Sequence, residues 1–247
     1  MNLVVDFGNT RCKCFLFDGN SIVERHFFAS GDVKTAQFLL NIVNGGKVDC
    51  AILSSVGQPD NAVAEALQPL VGKVVMLNSQ TPLPIENCYN KTQLGNDRLA
   101  AAVGATVLFP ERDVLVVDAG TAITYEFVEG GKRYLGGSIS PGLSMRFASL
   151  HEHTARLPLV SPEADSENIA NDTQHAINNG VVNGIVAEIL WNIEFAQTIL
   201  NNPSIILTGG DTIFLAEKLK NTIFAEPNLV AIGLNRILQY NVFDKNI

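Results

Sequence analysis

The sequence predicts an α/β protein built from two related lobes, and three features of the 247-residue chain carry that expectation. The stretch "LVVDFGNT", Leu3 to Thr10, nearly returns as "LVVDAGTAIT", Leu115 to Thr124. Around both copies, β-rich runs alternate with stretches whose apolar residues recur at helical spacing. Hydrophobic residues make up 47% of the chain and charged residues 17%, the balance of a folded protein with a large core.

The first half opens with a strand from Leu3 to Phe7, a turn, and a second strand from Arg11 to Asp18. "DGNS" follows, with residues that tolerate positive φ, so it signals a hairpin into a third strand from Ile22 to Phe28. A helix is expected near Val33 to Val43. "VDCAILSSV" then reads as a short strand feeding a helix in "DNAVAEALQPL". In "LGNDRLAAAVGATVLFP" the helical pattern begins at Leu99, Asn96 or Asp97 stands where a cap belongs, and Pro110 follows its end.

The strand-turn-strand theme restarts with Val114 to Asp118, "AGTA", and Ile123 to Val128, then the turn "EGGK" and "RYLGGSISPGL". A long helical stretch follows in "TQHAINNGVVNGIVAEILWNIEFAQTIL". Next come the strand of "SIILTGGD", a helix from about Ile213, and a last helix near Ala231 to Tyr240. No low-complexity linker separates the halves, so the repeat alone sets the expected lobes at 1–112 and 113–247, with a cleft between them.

Each repeated turn carries an aspartate, a glycine and a hydroxyl. Glycine lets backbone N–H groups approach a phosphate closely, and a carboxylate at a strand end can hold the accompanying cation. A single D-x-G-x-T is most simply a tight turn. Two copies, each after an apolar strand and each followed by another strand, point to a polyphosphate gripped from both sides. "IILTGGD", Ile205 to Asp211, adds a third glycine-rich turn suited to a nucleotide's sugar or base. The chain has neither G-x-x-x-x-G-K-[ST] nor a strand-linked G-x-G-x-x-G, so phosphates must be held in another way.

Composition excludes other classes. A net charge of −8 offers no general attraction for nucleic acid or anionic lipid. The start has no basic leader, and no run approaches the about 18 apolar residues of a membrane span, so a cytoplasmic protein is expected. Cys12, Cys14, Cys50 and Cys88 form no disulfide framework, and "HEH" at His151 to His153 does not place two ligands on one helix face.

Taken together, the loops resemble those of the acetate and sugar kinase, Hsp70 and actin superfamily. That resemblance implies two ribonuclease-H-like lobes, an actin-like ATPase fold with the nucleotide cleft between them. "DFGNTRCK", "GNDR", "DAGTAIT", "GGSISPGL", "DTQHAINNG" and "LTGGD" are similar, in this order along nearly the whole chain, to segments of type III pantothenate kinases. The resemblance implies transfer of the γ-phosphoryl of ATP to the 4′-hydroxyl of pantothenate, the first step of coenzyme A biosynthesis. It also implies Mg2+, a monovalent cation (K+ or NH4+) and a homodimer; the apolar stretch Val181 to Leu200 with Trp191 suits a dimer surface and equally a buried core helix.

Carried over by position, the resemblance assigns ATP contacts to Asp6, Phe7, Gly8, Asn9, Thr10, Arg11, Cys12, Lys13 and Thr121, with Asp6 near metal and phosphates. Lys13 equally suits an outward-facing strand position. Asp97 is matched to the base and Asp118 to the monovalent cation. Tyr89, Gly95, Asn96, Asp97, Arg98 and Thr173 are matched to the substrate pocket. Read from chemistry alone, Asp97 suits a helix cap as well as proton acceptance, and Arg98 a surface ion pair as well as a bidentate grip on a carboxylate. Two alternatives remain: another small-molecule kinase of the same fold, which has no need of "GNDR", and a non-catalytic nucleotide-binding accessory factor for transcription.

Overall fold

The computed structural model describes residues 1–55, 57, 61–163, 169–219 and 223–243. Val56 and Asp60, at the ends of two expected elements, lie outside the described residues. The chain divides into two compact units, one of Met1–Leu108 with Leu229–Ile247 and one of Phe109–Asn228.

In the first unit β1 (Asn2–Phe7), β2 (Arg11–Asp18) and β3 (Ser21–Ala29) form an antiparallel meander. After α1 (Val33–Asn44), β4 (Cys50–Ser55) adds parallel to β1. After α2 (Asn61–Leu67), β5 (Lys73–Met76) adds parallel to β4, giving the order β3-β2-β1-β4-β5. The short β6 (Glu86–Asn87) and α3 (Asn96–Leu108) follow. Leu3 and Val5 of β1, Cys12, Cys14 and Leu16 of β2, and Ala51 and Leu53 of β4 share one buried face with Leu39 and Leu67 of the helices. This is the two-residue period of strands packed under helices.

The second unit repeats the theme. β7 (Val114–Ala119), β8 (Ala122–Glu129) and β9 (Arg133–Pro141) form an antiparallel meander. α4 (Leu143–Glu152) and the long α5 (Thr173–Ile199) follow. Then β10 (Ser204–Thr208) pairs parallel to β7, and beyond α6 (Thr212–Lys218) β11 (Phe224–Ala225) pairs parallel to β10. Leu115, Val117, Ile123 and Tyr125 of the sheet are buried with Val182, Ile185 and Ile189 of α5.

The last helix, α7 (Leu229–Val242), differs from the expected contiguous halves, because it belongs to the first unit. Its glycine explains the docking: a Cβ on Gly233 would stand 1.8 Å from the Ala100 carbonyl oxygen, and one on Gly104 2.4 Å from that of Leu229. The backbones of α3 and α7 therefore touch where neither has a side chain. Asn235 adds hydrogen bonds to Asn2 and to the Gly19 carbonyl, both at 2.9 Å.

Candidate active site

The carboxyl ends of parallel strands are where open α/β sheets bind ligands, and in the first unit β1 and β4 end side by side. Asp6, near the end of β1, pairs in register with Lys13 on β2 and with Ser54 on β4. Its carboxyl is only 5% exposed, and burial raises it from 3.8 to about 6, against the lowering effect of Lys13 and with a further rise from Asp97. Lys13 is thus beside Asp6 because the hairpin register puts it there. Asp97, on α3, is close enough to be felt by Asp6.

Asp6 Oδ1 and Ser54 Oγ are both buried without a hydrogen-bond partner of normal geometry, although the hydroxyl still favours the ionised carboxylate. Buried polar atoms ordinarily find partners, so an orphaned carboxylate oxygen beside an orphaned hydroxyl fits a hard cation. The turn beyond Asp6 is closed by Gly8 N–H donating to the Arg11 carbonyl at 3.0 Å. Ser30 braces it, donating Oγ–H to the Gly8 carbonyl and N–H to that of Thr10. Asn9, Thr10 and Arg11 are exposed, while Phe7 packs on the core and the Cys12 side chain lies within it. Cys12 therefore offers this turn only its backbone.

Asp97 lies inside the first turn of α3 and does not form the expected cap. Its Oδ1 accepts from the Arg98 N–H at 2.8 Å, and a Cβ at Gly95 would come within 2.5 Å of the same oxygen. Glycine at 95 makes room for that carboxylate. Asn96 is already the first residue of α3, and its amide donates to the carbonyls of Ser55 and Leu77, pinning the start of the helix to the ends of β4 and β5. Arg98 is buried and its guanidinium carbon lies 5.2 Å from the centroid of the half-buried Tyr89 ring. Asp6, Lys13 and Asp97 thus form one electrostatic group, and Tyr89 pairs with Arg98 at the start of the same helix.

In the second unit Asp118 ends β7 and is half-buried, and Thr121 is exposed at the turn into β8. Two glycines allow close approach to this turn. A Cβ at Gly209, where φ is +96°, would stand 2.3 Å from the Ala119 carbonyl oxygen and 2.5 Å from Asp118 Oδ1. One at Gly142 would stand 2.2 Å from the Gly120 carbonyl oxygen. The glycine signals of "LTGGD" and "SPGL" therefore converge on one loop. The half-buried Asp118 offers a hard carboxylate oxygen at this turn, chemically suited to a cation. Asp211 donates its N–H to the Ala119 carbonyl at 2.9 Å, and burial raises its carboxyl.

Thr173 is exposed in the first turn of α5, after Asp172, whose Oδ1 caps the helix by accepting from the His175 N–H at 3.0 Å. It lines an open cavity of about 850 Å3 with Asp172, Arg146, Leu150, Leu157 and Ile177. Sequence reasoning passed over Ser30, Ser54, Arg146 and Glu188. Ser54 carried a usable signal, since it ends an apolar strand as Asp6 does; the others depend on partners distant in sequence.

This is the fold of the actin-like ATPase kinases. Among solved structures it is similar to the ROK hexokinase from Thermus thermophilus, with a TM-score of 0.51 and 13% identity, covering 97% of this chain and 99% of that one. It is also similar to the activator of the 2-hydroxyisocaproyl-CoA dehydratase from Clostridium difficile with bound ADPNP, with a TM-score of 0.56 and 14% identity over 100% of this chain and 97% of that one. Residues 2–193 match the family model of type III pantothenate kinase. A type III pantothenate kinase from Porphyromonas gingivalis is 43% identical over 244 residues, 98% of this chain and 99% of its own. One from Bacteroides fragilis is 43% identical over 242 residues, 98% of each. The chain belongs to the type III pantothenate kinase family.

Proposed function

We propose that the protein transfers the γ-phosphoryl group of ATP to the 4′-hydroxyl of pantothenate, giving 4′-phosphopantothenate, the first step of coenzyme A biosynthesis. The observation that carries the reading is the grouping, within the first unit, of Asp97 with the Asp6 turn and of Arg98 with Tyr89. A phosphate-binding turn, a proton acceptor and a carboxylate-binding guanidinium then belong to one site.

Asp97 orients the attacking hydroxyl and accepts its proton. A carboxylate suffices, because in a loose phosphoryl-transfer transition state the proton leaves late. Arg98 binds the pantothenate carboxylate with its planar fork, and Gly95 and Asn96 shape that pocket together with Tyr89; in the second unit Thr173 is the residue we assign to substrate contact. The backbone of Gly8, Asn9 and Thr10 cradles phosphate oxygens and Lys13 adds positive charge; in the second unit Thr121 is the hydroxyl we assign to an ATP contact. Asp6, with its orphaned Oδ1, holds Mg2+, and Asp118 holds K+ or NH4+. When bound, these cations neutralise phosphate charge as it shifts in the transition state.

Trp191, Phe195 and Ile199 are exposed at successive turns of α5, with the Trp191 and Phe195 rings stacked at 5.4 Å. This apolar stripe is the surface we assign to a homodimer, to be checked by light scattering of the wild type against Trp191→Glu. Among the described residues no helix is long and apolar enough to cross a membrane, and we place the enzyme in the cytoplasm.

The test is incubation of the purified protein with ATP, Mg2+ and pantothenate, with and without K+, followed by mass spectrometry, beside a panel of sugars. One added phosphate on pantothenate alone, lost without K+, is expected. A phosphorylated sugar with unchanged pantothenate would overturn the reading.

A further inference from the structure

Glu188, halfway along α5, accepts hydrogen bonds from three other elements of the second unit. Tyr125 Oη of β8 donates to Oε1 at 2.7 Å, Ser140 Oγ of β9 donates to Oε1 at 2.5 Å, and Arg146 Nη2 of α4 donates to Oε2 at 2.5 Å. Arg146 closes the cluster by donating Nη2–H to Ser140 Oγ at 3.1 Å and Nε–H to the Pro141 carbonyl at 2.8 Å. The Arg146 and Glu188 side chains are 20% and 28% exposed, so the pair is shielded well beyond an ordinary surface ion pair. Burial alone would push the Glu188 carboxyl up, but the donors from Ser140, Arg146 and Tyr125 hold it below the usual carboxylate range. A carboxylate kept ionised by so many donors is a rigid anchor.

The segment it anchors abuts the second glycine turn. Ser140 and Pro141 pair in register with Ile123 and Ala122, and the next residue, Gly142, donates its N–H to the Thr121 carbonyl at 3.2 Å. Gly142 also lies so close that a Cβ there would collide with the Gly120 and Thr121 carbonyl oxygens. Any slackening of Ser140 to Gly142 is therefore passed directly to the turn after Asp118.

We propose that Glu188 is a positioning residue that, through Ser140 and Arg146, fixes the geometry of the loop Ala119–Ala122. Glu188 meets no reacting atom in this role. Its removal leaves the Arg146 charge and two hydroxyls without their acceptor, so the strand end and the turn it supports loosen together. The effect on turnover rests on the kinase reading, in which this loop serves ATP and the monovalent cation; the effect on loop geometry does not.

The experiment is amide hydrogen exchange on the unliganded full-length protein, wild type against Glu188→Gln, followed by kinetics on the same samples. Exchange at 119–122, 140 and 142 is expected to quicken about tenfold while amides in the middle of β7 and β10 keep their wild-type rates. Unchanged loop exchange, or quickening spread evenly through the unit, would overturn the proposal whatever the activity. Should Glu188→Gln fail to fold, Arg146→Lys, which keeps the charge and loses the fork, is expected to give the same local pattern. In the kinetics, the K+ concentration for half-activation and the KM for ATP are expected to rise about tenfold. A wild type that does not phosphorylate pantothenate sinks the kinase reading, and the exchange data still decide the role of Glu188.

Discussion

The guanidinium of Arg98 lies 5.2 Å from the centre of the Tyr89 ring, on a residue only 5% exposed. A buried arginine held beside a ring has fewer side-chain conformations left before any ligand arrives, which lowers the ordering cost of a bidentate contact. Arg98→Lys is expected to raise the KM for pantothenate at least about tenfold with little change in the KM for ATP, since lysine cannot reproduce the fork. Tyr89→Phe keeps the ring and is expected to stay near wild type, whereas Tyr89→Ala follows the lysine variant. Equal KM values in Arg98→Lys and wild type would remove Arg98 from the pocket.

Asp97→Asn keeps the volume of the side chain and removes its ability to take a proton. Turnover is expected to fall about 10²- to 10⁴-fold, with binding of a non-hydrolysable ATP analogue, read by calorimetry, within about twofold of wild type. Full activity in this variant would exclude Asp97 as the base.

Asp6 carries the clearest pH signature. Its carboxyl rises from 3.8 to about 6 on folding, chiefly through burial, so the folded state holds the proton more tightly than the unfolded chain. The stabilising contribution is fully present below 3.8 and is lost as pH rises through about 6, a loss on the order of 3 kcal/mol. Asp6→Asn is therefore expected to be more stable than wild type by that order above about pH 7 and no more stable near about pH 4, in urea unfolding without ligands. A constant difference across that range would contradict the burial argument. The same variant is expected to bind Mg2+ and ATP poorly, placing the carboxylate's benefit in function and its cost in stability.

Gly209 combines a φ of +96° with a close approach, Asp118 Oδ1 lying 2.5 Å from where a Cβ would stand. Gly209→Ala is expected to cost about 2–4 kcal/mol in denaturant unfolding. It is also expected to raise the K+ requirement, because relief of the clash moves the Asp118 carboxylate. A variant as stable as wild type would show that the turn has room the present geometry denies.

Much of the layout was legible in the chain. The meanders β1-β2-β3 and β7-β8-β9 follow from apolar runs, the first strand of each nearly all buried, and from positive-φ hairpin residues, such as Gly19 at +58° and Gly130 at +57°. The place of α7 was not legible, because an apolar helix at the end of a chain carries no mark of which sheet it will cover. Nor was the failure of Asn96 and Asp97 to cap α3, since a capping residue in sequence does not reveal that its side chain will be claimed by Ser55 and Leu77 or by a neighbouring N–H.

By itself the sequence determined the repeated strand-turn-strand units, the glycines that let each turn close, and the motifs that place the chain in its family. These are local properties, written in periodicity and in residues whose conformations are fixed by their own chemistry. Tertiary structure alone decided that Lys13 and Ser54 flank Asp6, that Arg98 lies over the Tyr89 ring, and that Glu188 gathers Tyr125, Ser140 and Arg146. Each of these pairings joins elements brought together by strand register or helix packing. Around Glu188 the selecting energy is that of buried polar groups finding partners, whereas Asp6, Lys13 and Ser54 are set side by side by strand register alone; neither has a signature until the chain has folded.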